Sequence, residues 1–188
     1  MRIVRAAEQR VVPWKNGGGL TREVLVEPDP DDPAQFLWRI SIATVAQAGP
    51  FSRFPGIDRS IAVLDGEGMR LNVDGELVTL LPGDEPFRFS GDADVQSDLI
   101  GGATTDLNVM SRRGMFAHRM TRVRWDGLVE PAGPAEMNVL LFTGPVTVAG
   151  APLDRFDALA GLGRGEKIRV RAEQPCEMFV IAIEAAAG

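Results

Sequence analysis

Two short stretches set arginines beside small hydrogen-bonding side chains at alternate positions, a pattern that can hold an acid inside a β-structure. In residues 36–43, alternation predicts Arg39 and Ser41 on one strand face and Trp38, Ile40 and Ile42 on the other. In residues 105–112 it predicts Asp106, Asn108, Met110 and Arg112 together, opposite Leu107 and Val109. If both polar faces line one lumen, two guanidiniums, a carboxylate, an amide and a hydroxyl converge. Arginine then takes a carboxylate in bidentate fashion while Asn and Ser complete its hydrogen bonds. Polar alternation alone more often marks a face turned to water. The loop 49–59 favours a site: it joins Phe51, Ser52 and Phe54 to two prolines and the pair Asp58-Arg59, a composition suited to a stiff rim with polar tips. A surface Asp58–Arg59 pair of little energetic consequence is the plain alternative.

A third stretch, Pro13-Trp14-Lys15-Asn16-Gly17-Gly18-Gly19-Leu20-Thr21-Arg22-Glu23, offers backbone N–H groups and the candidate contacts Lys15, Asn16, Thr21 and Arg22. Three glycines let the chain approach a ligand or a neighbouring strand closely. The lysine precedes the glycines and no Gly-Lys-Ser/Thr ending follows, so this is not a Walker loop. A glycine-rich bend at a barrel mouth explains the segment equally well.

Composition narrows the chemistry. Among 188 residues there is one histidine, His118, and one cysteine, Cys176. A disulfide scaffold and a multi-cysteine zinc site are excluded, and a transition-metal centre lacks its usual ligands. His118 lies among arginines with no nucleophile-elbow motif to serve, and reads as an ordinary polar residue. No acidic loop has the spacing of a Ca²⁺ or Mg²⁺ cage. The net charge of −6 opposes broad attachment to nucleic acid or anionic membrane, so an anion must be held locally. Arg112, Arg113, Arg119, Arg122 and Arg124 form the one basic concentration, expected to balance internal acids. The charged start of the chain and the lack of a long apolar run predict a soluble, unprocessed, cytoplasmic protein.

The elements that must carry these residues are strands. Apolar runs broken by Gly, Pro, Asp and Asn recur throughout, and helical periodicity is scarce. Strands are predicted at 20–27, 36–45, 61–64, 69–73, 76–80, 87–89, 107–110, 137–142, 146–148, 167–171 and 178–184, with turns at Asp65-Gly66, Asp74-Gly75 and Pro82-Gly83-Asp84. The acidic segment 27–33 reads as an exposed, solvated connection. A faint duplication is visible. Val63-Leu64-Asp65-Gly66, Pro82-Gly83-Asp84 and Phe87-Arg88-Phe89 are echoed by Leu141-Phe142-Thr143-Gly144, Arg164-Gly165-Glu166 and Ile168-Arg169-Val170. The first unit carries most of the unusual polar chemistry.

Together these motifs resemble the HutD/Ves family of cupin-like proteins. The resemblance rests on residues 13–19 with Thr21-Arg22-Glu23, on Trp38-Arg39-Ile40-Ser41-Ile42-Ala43, and on Gly49-Pro50-Phe51-Ser52 with Phe54-Pro55-Gly56 and Asp58-Arg59. Phe87-Arg88-Phe89 before Gly91-Asp92, and Asp106-Leu107-Asn108-Val109-Met110 with Arg112-Arg113, complete it, covering most of residues 1–115 in order. It implies an all-β fold of cupin-like double-stranded β-helix (jelly-roll) barrels, two in one chain, as a bicupin. One barrel is expected over 1–115 and the other over 116–188, with strands exchanged between them as an open alternative. It also implies a role in bacterial histidine utilisation, in which a small pathway metabolite is bound and pathway output limited. Metal-binding cupins use several histidines and a glutamate, and this chain lacks the histidines, so no cofactor is expected.

The implied ligands are urocanate, formiminoglutamate and N-formylglutamate. Arg39, Arg112 and Arg22 would pair with carboxylates, and Asn108, Ser41 and Thr21 would satisfy an amide or formyl group. Lys15, Asn16, Ser52, Arg59, Asp106 and Met110 complete the candidate set. The expected partner is a small carboxylate metabolite, with neither nucleic acid nor membrane, and the chain is compatible with a homodimer. Binding is favoured over catalysis. The competing readings are a metal-independent isomerase, hydrolase or lyase using Lys15, Glu23 or Asp106 for proton transfer, and a protein-interaction module with a self-filled lumen.

Overall fold

A computed structural model describes residues 1–14 and 17–186. Lys15 and Asn16 lie outside the described residues. The chain opens with β1 (Arg2–Val4) and a 3-10 turn at Ala6–Glu8. Then come β2 (Arg10–Pro13), β3 (Gly19–Pro28), β4 (Phe36–Val45), β5 (Gly49–Pro50), β6 (Ile57–Asp65), β7 (Met69–Val73), β8 (Glu76–Leu80), β9 (Phe87–Ser90), β10 (Val95–Leu99) and β11 (Thr104–Arg112). The remainder forms β12 (Phe116–Trp125), β13 (Leu128–Val129), β14 (Met137–Phe142), β15 (Val146–Val148), β16 (Ala151–Leu153), β17 (Ala158–Leu162), β18 (Val170–Arg171) and β19 (Cys176–Ala185). No helix among the described residues is long and apolar enough to cross a membrane.

The chain groups into two compact units. Residues 10–117 form one, built from a six-stranded sheet in the order β2-β3-β4-β11-β6-β9 and a four-stranded sheet β5-β10-β7-β8. Its core lies between them. Val45, Ile61, Val63 and Phe89 of the larger sheet meet Met69, Leu71, Leu80 and Val95 of the smaller. Alternation produces this because each strand of a two-sheet sandwich turns every second side chain inward.

The other unit takes residues 1–9 and 118–185. Residues 1–9 thus group with the C-terminal segment and not with residues 10–115, since β1 pairs antiparallel with β17. Its sheets run β1-β17-β14-β19-β12 and β13-β18-β15-β16. Leu140, Phe142, Leu159, Leu162, Met178 and Val180 pack against Val146, Val148, Leu153 and Val170.

Hairpin chemistry sets the register in both units. β7 and β8 are joined by Asp74-Gly75 with φ of 51° and 94°, and β15 and β16 by Ala149-Gly150 with φ of 48° and 86°. Paired positive φ values give a turn whose twist matches the strands it joins. Asp74-Gly75 is readable from residue type. An alanine in the left-handed region is not, because only the closed hairpin enforces it.

Candidate functional site

The larger sheet of the 10–117 unit brings its inward polar residues into three rows, set by strand register. Arg39 of β4 and Arg59 of β6 flank Met110 of β11. In the next row Glu23 of β3, Ser41, Asn108 and Ile61 stand side by side, and in the third Thr21, Ala43, Asp106 and Val63. All but Glu23, Ile61 and Val63 of these rows form one wall of a cavity of about 520 Å³, a size typical of small-ligand sites. Its rim is Val12, Pro13 and Trp14 on one side and Pro50, Phe51, Ser52 and Phe54 on the other.

Local sequence explains both rims. Trp14 folds over the wall and donates its indole N–H to Thr21 Oγ1 at 2.8 Å. Gly19 permits this, since a Cβ there would lie 2.4 Å from the Thr44 carbonyl oxygen and 3.1 Å from the Trp14 ring. The opposite loop is pinned by backbone bonds from Phe54 N to Gly91 O and from Phe51 N to Val95 O. Rings of this loop, of β4 and of β9 receive the cations: Arg39 lies 4.7 Å from the Phe36 ring centroid and 5.2 Å from that of Phe54. Arg59 lies 5.4 Å from Phe54 and 4.8 Å from Phe89. Phe54 therefore shares its ring between two guanidiniums, a favourable use of its negative face.

These arginines are short of hydrogen-bond acceptors. Arg59 is 4% exposed and donates one bond to the Ser52 carbonyl at 3.2 Å, while Arg39 donates to the Met110 sulfur. Arg39 Nε, Arg59 Nε, Asp106 Oδ1 and Asn108 Oδ1 are all buried without a partner. Burial lowers the Arg59 pKa to about 10, partly countered by Asp106 and aggravated by Arg39. Burial likewise lowers Arg39, with Glu23 opposing it. Desolvation pushes Asp106 up to about 7, against the attraction of Arg59 and a hydrogen bond with Asn108. Four orphaned polar atoms around one cavity are costly in a native structure unless a ligand or ordered water meets them.

Of the residues expected to bind, Thr21, Arg39, Ser41, Ser52, Arg59, Asp106, Asn108 and Met110 line this cavity. Arg22 and Arg112 do not. Arg22 follows Thr21 in a strand, so alternation turns it to the opposite face. Arg112 ends β11 and donates to Asp29 at 2.5 Å and to Gln35 at 3.2 Å. That pair also corrects the reading of 27–33 as a solvated connection: Asp29 is buried, and β3 runs through Pro28. Lys15 and Asn16 fall outside the described residues. Of the basic concentration, Arg113 bonds Asp58 and Asp92, and Arg122 and Arg124 share Glu177. His118 is buried and lies outside the 10–117 unit. Among the described residues, no three His, Cys, Asp or Glu side chains are gathered to hold a metal ion.

The candidate set omitted Ala43 and Val45 of the wall, and from the two rims it left out Trp14, Phe51 and Phe54, although the 49–59 loop with its aromatics was read as a rim. Ala43 and Val45 were accessible by continuing the alternation from Arg39 and Ser41. The Phe54 position depends on a loop path that no periodicity encodes.

The HutD family model matches residues 6–180. The chain belongs to the HutD family. An uncharacterised 21.2 kDa protein from the hutC 3′ region of Pseudomonas putida is 33% identical over 180 residues, covering 92% of this chain and 93% of its own. Protein Ves of Citrobacter koseri is 42% identical over 103 residues, about half of each chain (53% and 52%). Among solved structures, HutD from Pseudomonas fluorescens SBW25 superposes with a TM-score of 0.84 at 33% identity, covering 99% of both chains. More distant structures, including a cupin 2 barrel protein from Leptotrichia buccalis (TM-score 0.57, 11% identity, 93% of this chain and 96% of that one), show the fold to be cupin-like. The cavity residues of this HutD-family chain all fall inside the matched span.

Proposed function

We propose that this chain is a metal-free binder of small carboxylates with a regulatory role in histidine utilisation, and that its two units are two cupin-like barrels of which the first carries the site. The observation behind this reading is the set of orphaned atoms on Arg39, Arg59, Asp106 and Asn108 around one cavity. Two guanidiniums held among rings, short of acceptors, suit a carboxylate better than a neutral ligand. The family name and the hutC-region relative support the link to histidine utilisation. That link makes urocanate, formiminoglutamate and N-formylglutamate the first ligands to try, with the cytoplasm as the compartment and no nucleic acid or membrane as partner. Ligand binding to the native state raises its apparent stability by about 2.7 kcal/mol at a hundredfold excess over Kd. Thermal unfolding against these three acids, glutamate and histidine, with and without EDTA, should give a selective rise that EDTA leaves unchanged. No rise with any of them would remove the reading.

One observation favours a second reading, a metal-independent enzyme. Asp106, pushed up to about 7, is poised for proton transfer at neutral pH. Turnover separates the two: a binder returns its ligand unchanged, whereas an enzyme loses rate but keeps affinity when Asp106 becomes Asn.

A further inference from the structure

The orphaned atoms are of two kinds, and they lie in different rows. Arg39 and Arg59 supply donors in the first row, whereas Asn108 in the second and Asp106 in the third present unmatched oxygens. Adjacent rows lie two residues apart along the strands, roughly 7 Å between Cα positions. The amide orientation of Asn108 is fixed by its neighbour. Once ionised, above about pH 7, the Asp106 carboxylate only accepts, so the Asn108 NH₂ then faces it, and the Asn108 carbonyl oxygen is the atom left without a partner. Both oxygens belong to residues more than nine-tenths buried that line the cavity.

A second carboxylate placed against these oxygens would repel Asp106 and leave Asn108 Oδ1 unbonded. An N–H group satisfies both. We infer that the cavity selects acids carrying an N–H donor a few bonds from the carboxylate, an amide, amidine or imidazole, and that Asn108 and Asp106 are its specificity-determining residues. The inference rests on the small-carboxylate reading above and goes further by dividing the cavity into an anion end and a donor-reading end. Arg39 and Arg59 hold the carboxylate. Asn108 Oδ1 and Asp106 Oδ1 accept from the N–H group, and simple dicarboxylates are rejected because they leave the two oxygens unpaired.

The test compares ligands that differ only in that N–H. Full-length protein is titrated calorimetrically at pH 8, where Asp106 is largely ionised, with N-formylglutamate and with 2-formyloxyglutarate, in which oxygen replaces the N–H. Urocanate and 3-(5-oxazolyl)acrylate, in which oxygen replaces the ring N–H, form a second such pair. The parent should prefer the N–H member of at least one pair by about tenfold or more. Asn108→Leu should shrink that ratio toward one while keeping the weaker affinity for the oxygen analogue, and Arg39→Ala should weaken both members alike. Equal affinities within each pair, with both lost in Arg39→Ala, would overturn the inference and leave the small-acid reading standing. No saturable binding of any of the four would overturn both. If Asn108→Leu does not fold, the parent's own ratio still decides.

Discussion

Two buried aspartates, one in each unit, show how differently the same architecture treats a carboxylate. Asp157, in the unit of residues 1–9 and 118–185, accepts from Ala6 N at 2.7 Å, Asp154 N at 3.0 Å and Arg5 at 2.8 Å. These partners outweigh its burial and hold its pKa below the usual carboxylate value. Asp106 lies deeper and has one oxygen with no partner, and desolvation raises its pKa to about 7. Asn138 and Asn108 repeat the contrast. Asn138 bonds the Ala135 N–H, the Ala135 carbonyl and the Leu162 carbonyl, whereas Asn108 keeps an unpaired oxygen. Asp157 and Asn138 are thus satisfied by their own unit, whereas Asp106 and Asn108, at the cavity, each keep an oxygen that no group of the chain meets.

The largest expected effect sharpens that contrast through stability. Asp157→Ala strands three donors, including the exposed end of Arg5, and should cost about 3 kcal/mol, roughly 6–12 °C in Tm, with ligand affinity unchanged by calorimetry. Arg39→Ala should do the reverse. Loss of an ionic partner to a bound acid costs about 2 kcal/mol or more in affinity, near thirtyfold, with little loss of Tm. If Arg39→Ala instead unfolds the protein as readily as Asp157→Ala, the distinction between building and waiting groups fails.

A smaller effect is read in the pH dependence. Because Asp106 is raised from 3.8 to about 7, the folded state holds a proton across that window that the unfolded state has released. Its contribution therefore reduces stability as pH rises through the window, in full above about 7 and not at all below the ordinary carboxylate value. The groups acting on it are Arg59 on β6 and Asn108 on its own strand; Arg39 on β4 acts on Arg59, and Glu23 of β3 acts on Arg39. Asp157 has the opposite sign: its stabilisation is full above its unfolded value and is lost as pH falls through its lowered folded one. Asp106→Asn should thus raise Tm at pH 8 by roughly 3–6 °C, and at pH 4 by little. The smallest effect is reserved for Arg112→Ala. Its pair with Asp29 lies outside the cavity, so Tm should fall by about 1–3 °C and ligand affinity should stay within twofold.

The site wall was largely legible in the sequence because strand alternation is a local rule. Arg39, Ser41, Asp106 and Asn108 needed only parity to be grouped, and β4, β7, β8, β14 and β15 follow the expected boundaries. The errors have physical causes. β12 was not foreseen because the inward face of Phe116–Trp125 carries His118 and Arg122, both buried, so the apolar alternation that marks a strand is broken. β17 is an Ala-Leu-Ala-Gly-Leu run of low intrinsic strand preference that neighbours hold in place. Arg112 shares the parity of Met110, but its acidic partner lies 83 residues away, a distance no local pattern bridges. The pairing of β1 with β17 is likewise decided by contacts between the two ends of the chain.

The central claim is that Arg39 and Arg59 wait for a carboxylate supplied from outside. Calorimetric titration of N-formylglutamate into the parent, Arg39→Ala and Arg112→Ala, all in EDTA, tests it most directly. The account predicts saturable binding by the parent and by Arg112→Ala at nearly the same Kd, and a loss of about thirtyfold or more in Arg39→Ala. Equal Kd values for the parent and Arg39→Ala would contradict it, whatever else the cavity holds.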